Sequence, residues 1–189
     1  MLRVHRGRMP AGARPKRNIK LRRIGVYAAR TLPLRYVDLP PIEHSIGVAR
    51  DPEQAFALFT TQLGRWWPRE YTWSQDVLQA IGIEPRIGGL CYELGPHGFR
   101  CDWGRVLVWT PPDHLVLAWH ISPRREPVPD PAYASRVEVY FRPARVSTVV
   151  ELTHSEFARH GKGAEEYRSA MASPQGWPRI MQRFAEAAV

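Results

Sequence analysis

The sequence predicts an α+β domain in which an antiparallel meander is closed by a C-terminal helix. Three observations carry that expectation. Apolar and polar residues alternate in short segments between positions 42 and 154, separated by Gly, Pro and Asp. Residues 103–119 (WGRVLVWTPPDHLVLAW) set two β-branched and aromatic runs on either side of a Pro-Pro-Asp-His corner, a hairpin pattern. Trp177, Ile180, Met181 and Phe184 recur at i, i+3, i+4 and i+7, one face of a helix. A chain built this way must lay that helix on the apolar face of its sheet.

Taken in order, Ile42, His44, Ile46 and Val48 alternate with Glu43, Ser45 and Gly47, a half-buried first strand. Asp51-Pro52 then opens a helix, with Asp at the N-cap and Pro at the first helical position. Ala55, Phe56, Leu58, Phe59 and Leu63 give it an apolar face, and it runs on to Trp66-Trp67-Pro68, which ends it. A second short helix is expected over 74–81. Strands are expected at 84–86, 90–94, 101–109, 115–121, 136–142 and 148–154. Gly88-Gly89, Gly95-Pro96-His97-Gly98, Pro111-Pro112-Asp113 and the proline-rich stretch 123–131 separate them with turn chemistry. Pro178 suits the first turn of the last helix.

At 189 residues the chain is long enough for one domain with a real core. Its net charge of +9 is unevenly placed. Residues 1–40 hold eleven Lys and Arg against the single acid Asp38, whereas residues 41–189 hold sixteen bases and seventeen acids. The globular part is therefore near neutral, and no specific nucleic-acid partner is expected of it. Residues 1–40 read as a basic, disordered arm or as an artefact of a start assigned too far upstream, so deleting 1–38 should leave thermal stability unchanged. Residues 41–189 form the domain.

Cys91 and Cys101 are the only cysteines, too few for a disulfide framework. A tight turn at 95–98 would set Leu94 opposite Phe99 and send the two thiols to opposite faces. A reducing, cytoplasmic setting fits. No run of about 18 apolar residues is present, so no membrane span is expected, and the N-terminus lacks the apolar region of a secretory signal. GxSxG, HExxH, P-loop and GxGxxG motifs are missing, and the seven histidines lack metal-ligand spacing. No metal, cofactor or catalytic residue is assigned.

Several segments together resemble a known family: residues 42–59 (IEHSIGVARDPEQAFALF), Trp66-Trp67-Pro68, Gly88-Gly89, Trp103-Gly104-Arg105-Val106, Trp109-Thr110-Pro111-Pro112, Leu115 to Trp119, residues 148–154 (TVVELTH) and Gly176-Trp177. Their order and spacing are similar to the START-like, or SRPBCC, superfamily, in the branch of heat-shock-protein ATPase activator homologues. The resemblance covers about residues 42–188. It implies the helix-grip (START-like, Bet v 1-like) fold, a curved antiparallel sheet wrapped around a C-terminal helix and enclosing a hydrophobic cavity. It also implies one of three roles: binding a small apolar ligand, cyclase- or dehydratase-like catalysis, or a co-chaperone-like interaction with a chaperone. The chain departs from the pattern in its basic arm and in the prolines, Pro174 and Pro178, that break the approach to the last helix.

Strand parity nominates the cavity wall. Val137, Val139 and Phe141 share one face, as do Thr148, Val150, Leu152 and His154, and Leu115, Leu117, Trp119 and Ile121. A tight turn at 95–98 would add Leu90, Tyr92, Phe99, Cys101, Trp103 and Arg105; a slip of one residue would send Arg105 outward. An inward Arg105 would need a carboxylate partner, from a ligand or the protein. His154 reads as a core histidine or an acid–base, and Tyr92 as packing or a ligand hydroxyl. Trp66 and Trp67 form a flap over the mouth or dock onto the sheet, while Trp119 and Trp177 fill the place where helix meets sheet. His120 and Glu151 fall on the outer parity and read as solvated or ion-paired. The expected ligand set is Trp66, Trp67, Tyr92, Trp103, Arg105, Trp119, Phe141, His154 and Trp177, in a monomer or homodimer.

Overall fold

A computed structural model describes residues 39–189; all but the last two residues of the basic arm lie outside the described residues. Seven strands form one antiparallel sheet: β1 (Ile42–Val48), β2 (Ala80–Ile83), β3 (Leu90–Leu94), β4 (Arg100–Thr110), β5 (His114–Trp119), β6 (Ser135–Ala144) and β7 (Ser147–Ser155). Their order is β1-β7-β6-β5-β4-β3-β2. The sheet curls into a half-barrel around three helices, α1 (Pro52–Phe59), α2 (Ala164–Ala172) and α3 (Trp177–Ala187). The meander from β2 to β7 pairs neighbours in sequence, and the α1 region carries the chain from one sheet edge to the other.

Helix α1 starts as expected: the Asp51 carboxylate accepts the Gln54 N–H at 2.7 Å, with Pro52 at the first helical position. It stops at Phe59, short of the expected Trp66. The Thr60 and Thr61 hydroxyls donate to the Phe56 and Ala57 carbonyls, and a 3₁₀ turn at Leu63–Arg65 follows. Phe56, Phe59, Trp66, Phe141 and Phe184 meet edge-to-face or tilted at 5.1–5.6 Å and fill this end of the interior.

The helix expected over 74–81 is absent. In its place a 3₁₀ turn at Gln75–Val77 leads into β2, whose backbone pairs with β3; residues 84–86, expected as a strand, form the turn beyond it. An edge of β3 offers a ladder of hydrogen bonds that an isolated two-turn helix lacks.

The connection after β3 is longer than a tight hairpin. Leu94 pairs with Arg100, and His97 and Gly98 take left-handed φ values of 56° and 78° in between. The extra residue reverses the parity of β3: Cys91 and Glu93 are buried on the inner face, while Leu90 and Tyr92 turn outward and Phe99 is exposed. Cys91 and Cys101 thus share the inner face, contrary to the expected opposition, and both thiols are free. Irregular pairing at Cys91/Tyr92 then makes both Trp103 and Gly104 buried and turns Arg105 outward. A side chain at 104 would crowd the Ala118 carbonyl and Cys91, which the glycine avoids.

Helix α3 buries Trp177, Ile180, Met181 and Phe184, the expected face. The break before it is made by Gly176, where any Cβ would overlap the Met171 carbonyl. Helix α2, absent from the sequence expectations, therefore packs as a separate segment ahead of α3.

Candidate functional site

The break between α2 and α3 borders a cleft of about 360 Å³. Strand β5 supplies Trp119 to its wall, and Ile121 follows just beyond the strand. Helix α2 supplies Tyr167 and Met171, and α3 supplies Ile180. The segment after α1 supplies Trp67, Tyr71 and Trp73.

Hydrogen bonds from the aromatic side chains fix the rim. The Tyr71 hydroxyl donates to the Gln175 carbonyl at 2.6 Å, bridging the loop to the helix break. The Trp73 indole donates to the Arg125 carbonyl at 2.9 Å, pinning a small hairpin whose ends meet at Ile121 and Pro127. Trp73 is itself placed by Glu93. That fully buried carboxylate accepts the backbone N–H groups of Trp73 at 3.0 Å and Ser74 at 2.6 Å, so a strand residue holds the loop in register.

The cleft floor carries one polar pair. The Trp119 indole N–H donates to the Tyr167 hydroxyl oxygen at 2.7 Å, with both side chains buried. Burial pushes the Tyr167 phenol upward, opposed by the Trp119 bond and the Arg125 charge, so Tyr167 is a neutral phenol at ordinary pH.

Of the nine residues expected to contact a ligand, Trp67 and Trp119 line this cleft. Trp66 is core rather than flap, donating its indole N–H to the Leu58 carbonyl at 2.9 Å. Trp103 lies behind the cleft, stacked on Trp67 at 6.1 Å and 22°. Phe141 packs among Phe56 and Phe59, and Trp177 under the start of α3. Two placements correct the sequence parity. Arg105 is exposed on the outer face, where its guanidinium donates to the Gly88 carbonyl at 2.7 Å. Tyr92 also lies outside, under the Arg100 guanidinium at 5.1 Å. Both follow from the five-residue connection and the bulge.

His154 is wholly buried between Trp177, whose indole donates to Nδ1 at 2.9 Å, and Ser135, whose hydroxyl meets Nε2 at 2.7 Å. Ser135 continues to His160 Nε2 at 2.9 Å. Burial holds His154 well below the ordinary imidazole range and lowers His160 to about 4. His120, expected to be solvated, is buried, its Nδ1 bonded to the Val128 carbonyl at 2.8 Å because the proline-rich loop folds back over it. Glu151 is exposed beside Arg142, as expected.

Sequence reading missed Tyr71, Trp73, Glu93, Arg125 and Tyr167. Glu93 carried a signal, as an acid between Tyr92 and Leu94 in a short apolar strand; the others lie in segments without strand periodicity. Among the described residues no group of three His, Cys, Asp or Glu could hold a metal ion, and no helix is long and apolar enough to cross a membrane.

A curled antiparallel sheet around a C-terminal helix, with an aromatic cleft between them, defines the helix-grip fold of the SRPBCC superfamily. Residues 49–188 match the family described as activator of Hsp90 ATPase homolog 1-like protein, and the chain belongs to that family. Among solved structures it is similar to an anthrahydroquino-γ-pyrone synthase, Txn09, complexed with SUM. The two share 34% identity at a TM-score of 0.58, over 79% of this chain and 97% of that one. It is also similar to CalC of Micromonospora echinospora, a self-sacrificing resistance protein, at 26% identity and a TM-score of 0.56, covering 78% of this chain and 92% of that one. The Aha1 dimer of Colwellia psychrerythraea shares the fold at 16% identity and a TM-score of 0.52, over 79% and 96% of the two chains. No curated protein sequence matches the chain.

Proposed function

We propose that this protein binds a small, largely apolar fused-ring molecule in the cleft between the sheet and the broken C-terminal helices. The observation that carries this reading is the cleft wall. Indoles and phenols from three separate segments converge on about 360 Å³, a size and lining suited to a small ligand. Apolar burial would supply the affinity, at roughly 25 cal/mol per Å² before ordering costs. Hydrogen bonds at Gln175, Arg125 and Tyr167 hold the aromatic walls in place without a ligand, which lowers the ordering cost. The 34% identity to a synthase of a fused-ring pyrone supports an aromatic polycycle as the ligand class. A cyclase- or dehydratase-like step and a chaperone interaction are the alternatives; family membership supports both, but no side-chain arrangement among the described residues favours either.

Titration with anthracene, read by quenching of tryptophan emission, tests the reading. Saturable binding with a Kd at or below about 10 μM is expected. The substitution Ala170→Trp, at an exposed helix position on the cleft wall, should weaken it about tenfold or more. Quenching that does not saturate, or that Ala170→Trp leaves unchanged, overturns the reading.

A further inference from the structure

The Trp119–Tyr167 contact has a direction that the chemistry fixes. An indole nitrogen only donates, so the Tyr167 oxygen is the acceptor and its own hydrogen points elsewhere. The Tyr167 hydroxyl makes no second hydrogen bond among the described residues. Tyr167 is 8% exposed, and a hydroxyl hydrogen so buried rarely goes unpaired. Tyr167 and Trp119 both line the cleft, so a ligand bound there lies against this hydrogen-bonded pair.

A second observation concerns Arg125. It lines the same cleft and makes no ion pair among the described residues. Its backbone takes a left-handed φ of 61°, uncommon for a residue with a side chain, in the hairpin that Trp73 pins down. Ser122 stabilises that turn, its hydroxyl accepting the N–H groups of Arg124 and Glu126 at 3.2 Å. The arrangement holds a cation at the rim of a cleft whose floor offers a neutral hydroxyl donor.

We propose that the cleft selects ligands presenting a carbonyl or phenolate oxygen, which accepts the Tyr167 hydroxyl hydrogen while Arg125 balances negative charge on the ligand. This deepens the ligand-binding reading above and rests on it. The Trp119 indole is the positioning group: by donating to the phenol oxygen it orients the remaining O–H and strengthens it as a donor. Tyr167 stays protonated because burial disfavours the phenolate, so the site offers a hydrogen and not a charge at that point.

Three ligands that share one ring framework test this: anthracene, 9,10-anthraquinone and anthraquinone-2-carboxylate, each titrated against the full chain by tryptophan quenching. The wild-type protein should bind anthraquinone about fivefold to tenfold tighter than anthracene, the range of a single neutral hydrogen bond. Tyr167→Phe should bring the ratio of anthraquinone to anthracene affinity to about one, whatever the loss of the Trp119 bond does to both affinities, and an unchanged far-ultraviolet circular dichroism spectrum shows that the variant is folded. Arg125→Gln, at an exposed position, should lower the ratio of carboxylate to anthracene affinity about threefold, with an effect that shrinks as salt is raised. Equal wild-type affinities for anthracene and anthraquinone overturn the inference and leave the cleft reading standing, as does a preference that persists in Tyr167→Phe. If none of the three ligands binds, the cleft reading fails and this inference fails with it.

Discussion

The Trp177 indole donates its N–H to His154 Nδ1, and this one contact sets the protonation of a buried chain of groups. Nδ1 must be a bare acceptor, so the hydrogen of the neutral ring sits on Nε2 and points to Ser135. Ser135 in turn is free to donate to His160 Nε2. Protonating His154 would put a hydrogen on Nδ1 and oppose two donors, and burial already disfavours the charged ring.

A pH dependence of stability follows, with a definite sign. The folded-state pKa values of His154 and His160 are both below the ordinary 6.5, so the unfolded chain binds more protons than the native one in that range. Their contribution is complete above pH 6.5 and is lost as pH falls, with the His160 share exhausted near its folded value of about 4. Partly exposed His44 is shifted the same way and adds a smaller share. Melting temperature by circular dichroism should fall between pH 6.5 and 4.5, and His154→Gln should flatten the slope. A flat profile in the wild-type protein would show that neither buried ring resists protonation.

Glu93 holds the loop that carries Trp73, although it touches no ligand space itself. Glu93→Gln keeps the shape but turns one acceptor oxygen into an NH₂ group facing a backbone N–H. A loss of about 1–3 kcal/mol is expected in urea unfolding, as for a buried hydrogen bond broken on one side. Anthracene affinity should fall with it because Trp73 is released. Stability unchanged by this substitution would show that the loop is held by other contacts.

Arg105 is predicted to be nearly silent. Its guanidinium is exposed and makes one hydrogen bond, to the Gly88 carbonyl, so Arg105→Ala should change stability by less than about 0.5 kcal/mol and leave anthracene binding intact. A large loss of ligand affinity would place this side chain inside, against the register of β4.

Element type was largely readable because periodicity reports burial directly. Strands β1 and β3 fall on the expected residues, and the ends of β4 to β7 lie within two residues of expectation. The Asp51-Pro52 cap and the α3 face were equally legible, since each depends on neighbours within four residues. Parity across the 95–99 connection was not. Loop length and bulges decide it: one added residue reversed β3 relative to β4, whose Cys101 and Trp103 kept the expected inner face, and the irregular pairing then turned Arg105 outward.

The amino-acid order alone determined the antiparallel meander, the capping of α1, the apolar face of α3 and the near-neutral charge of the domain. All of these rest on interactions local in sequence. Only the tertiary structure decided that Arg105 and Tyr92 face out, that Glu93 holds a loop, and that Trp67, Trp73, Trp119, Tyr167 and Arg125 surround one cleft. The physical reason is distance along the chain: those residues come from segments up to a hundred positions apart. Only the curl of the sheet and the Gly176 break bring them together.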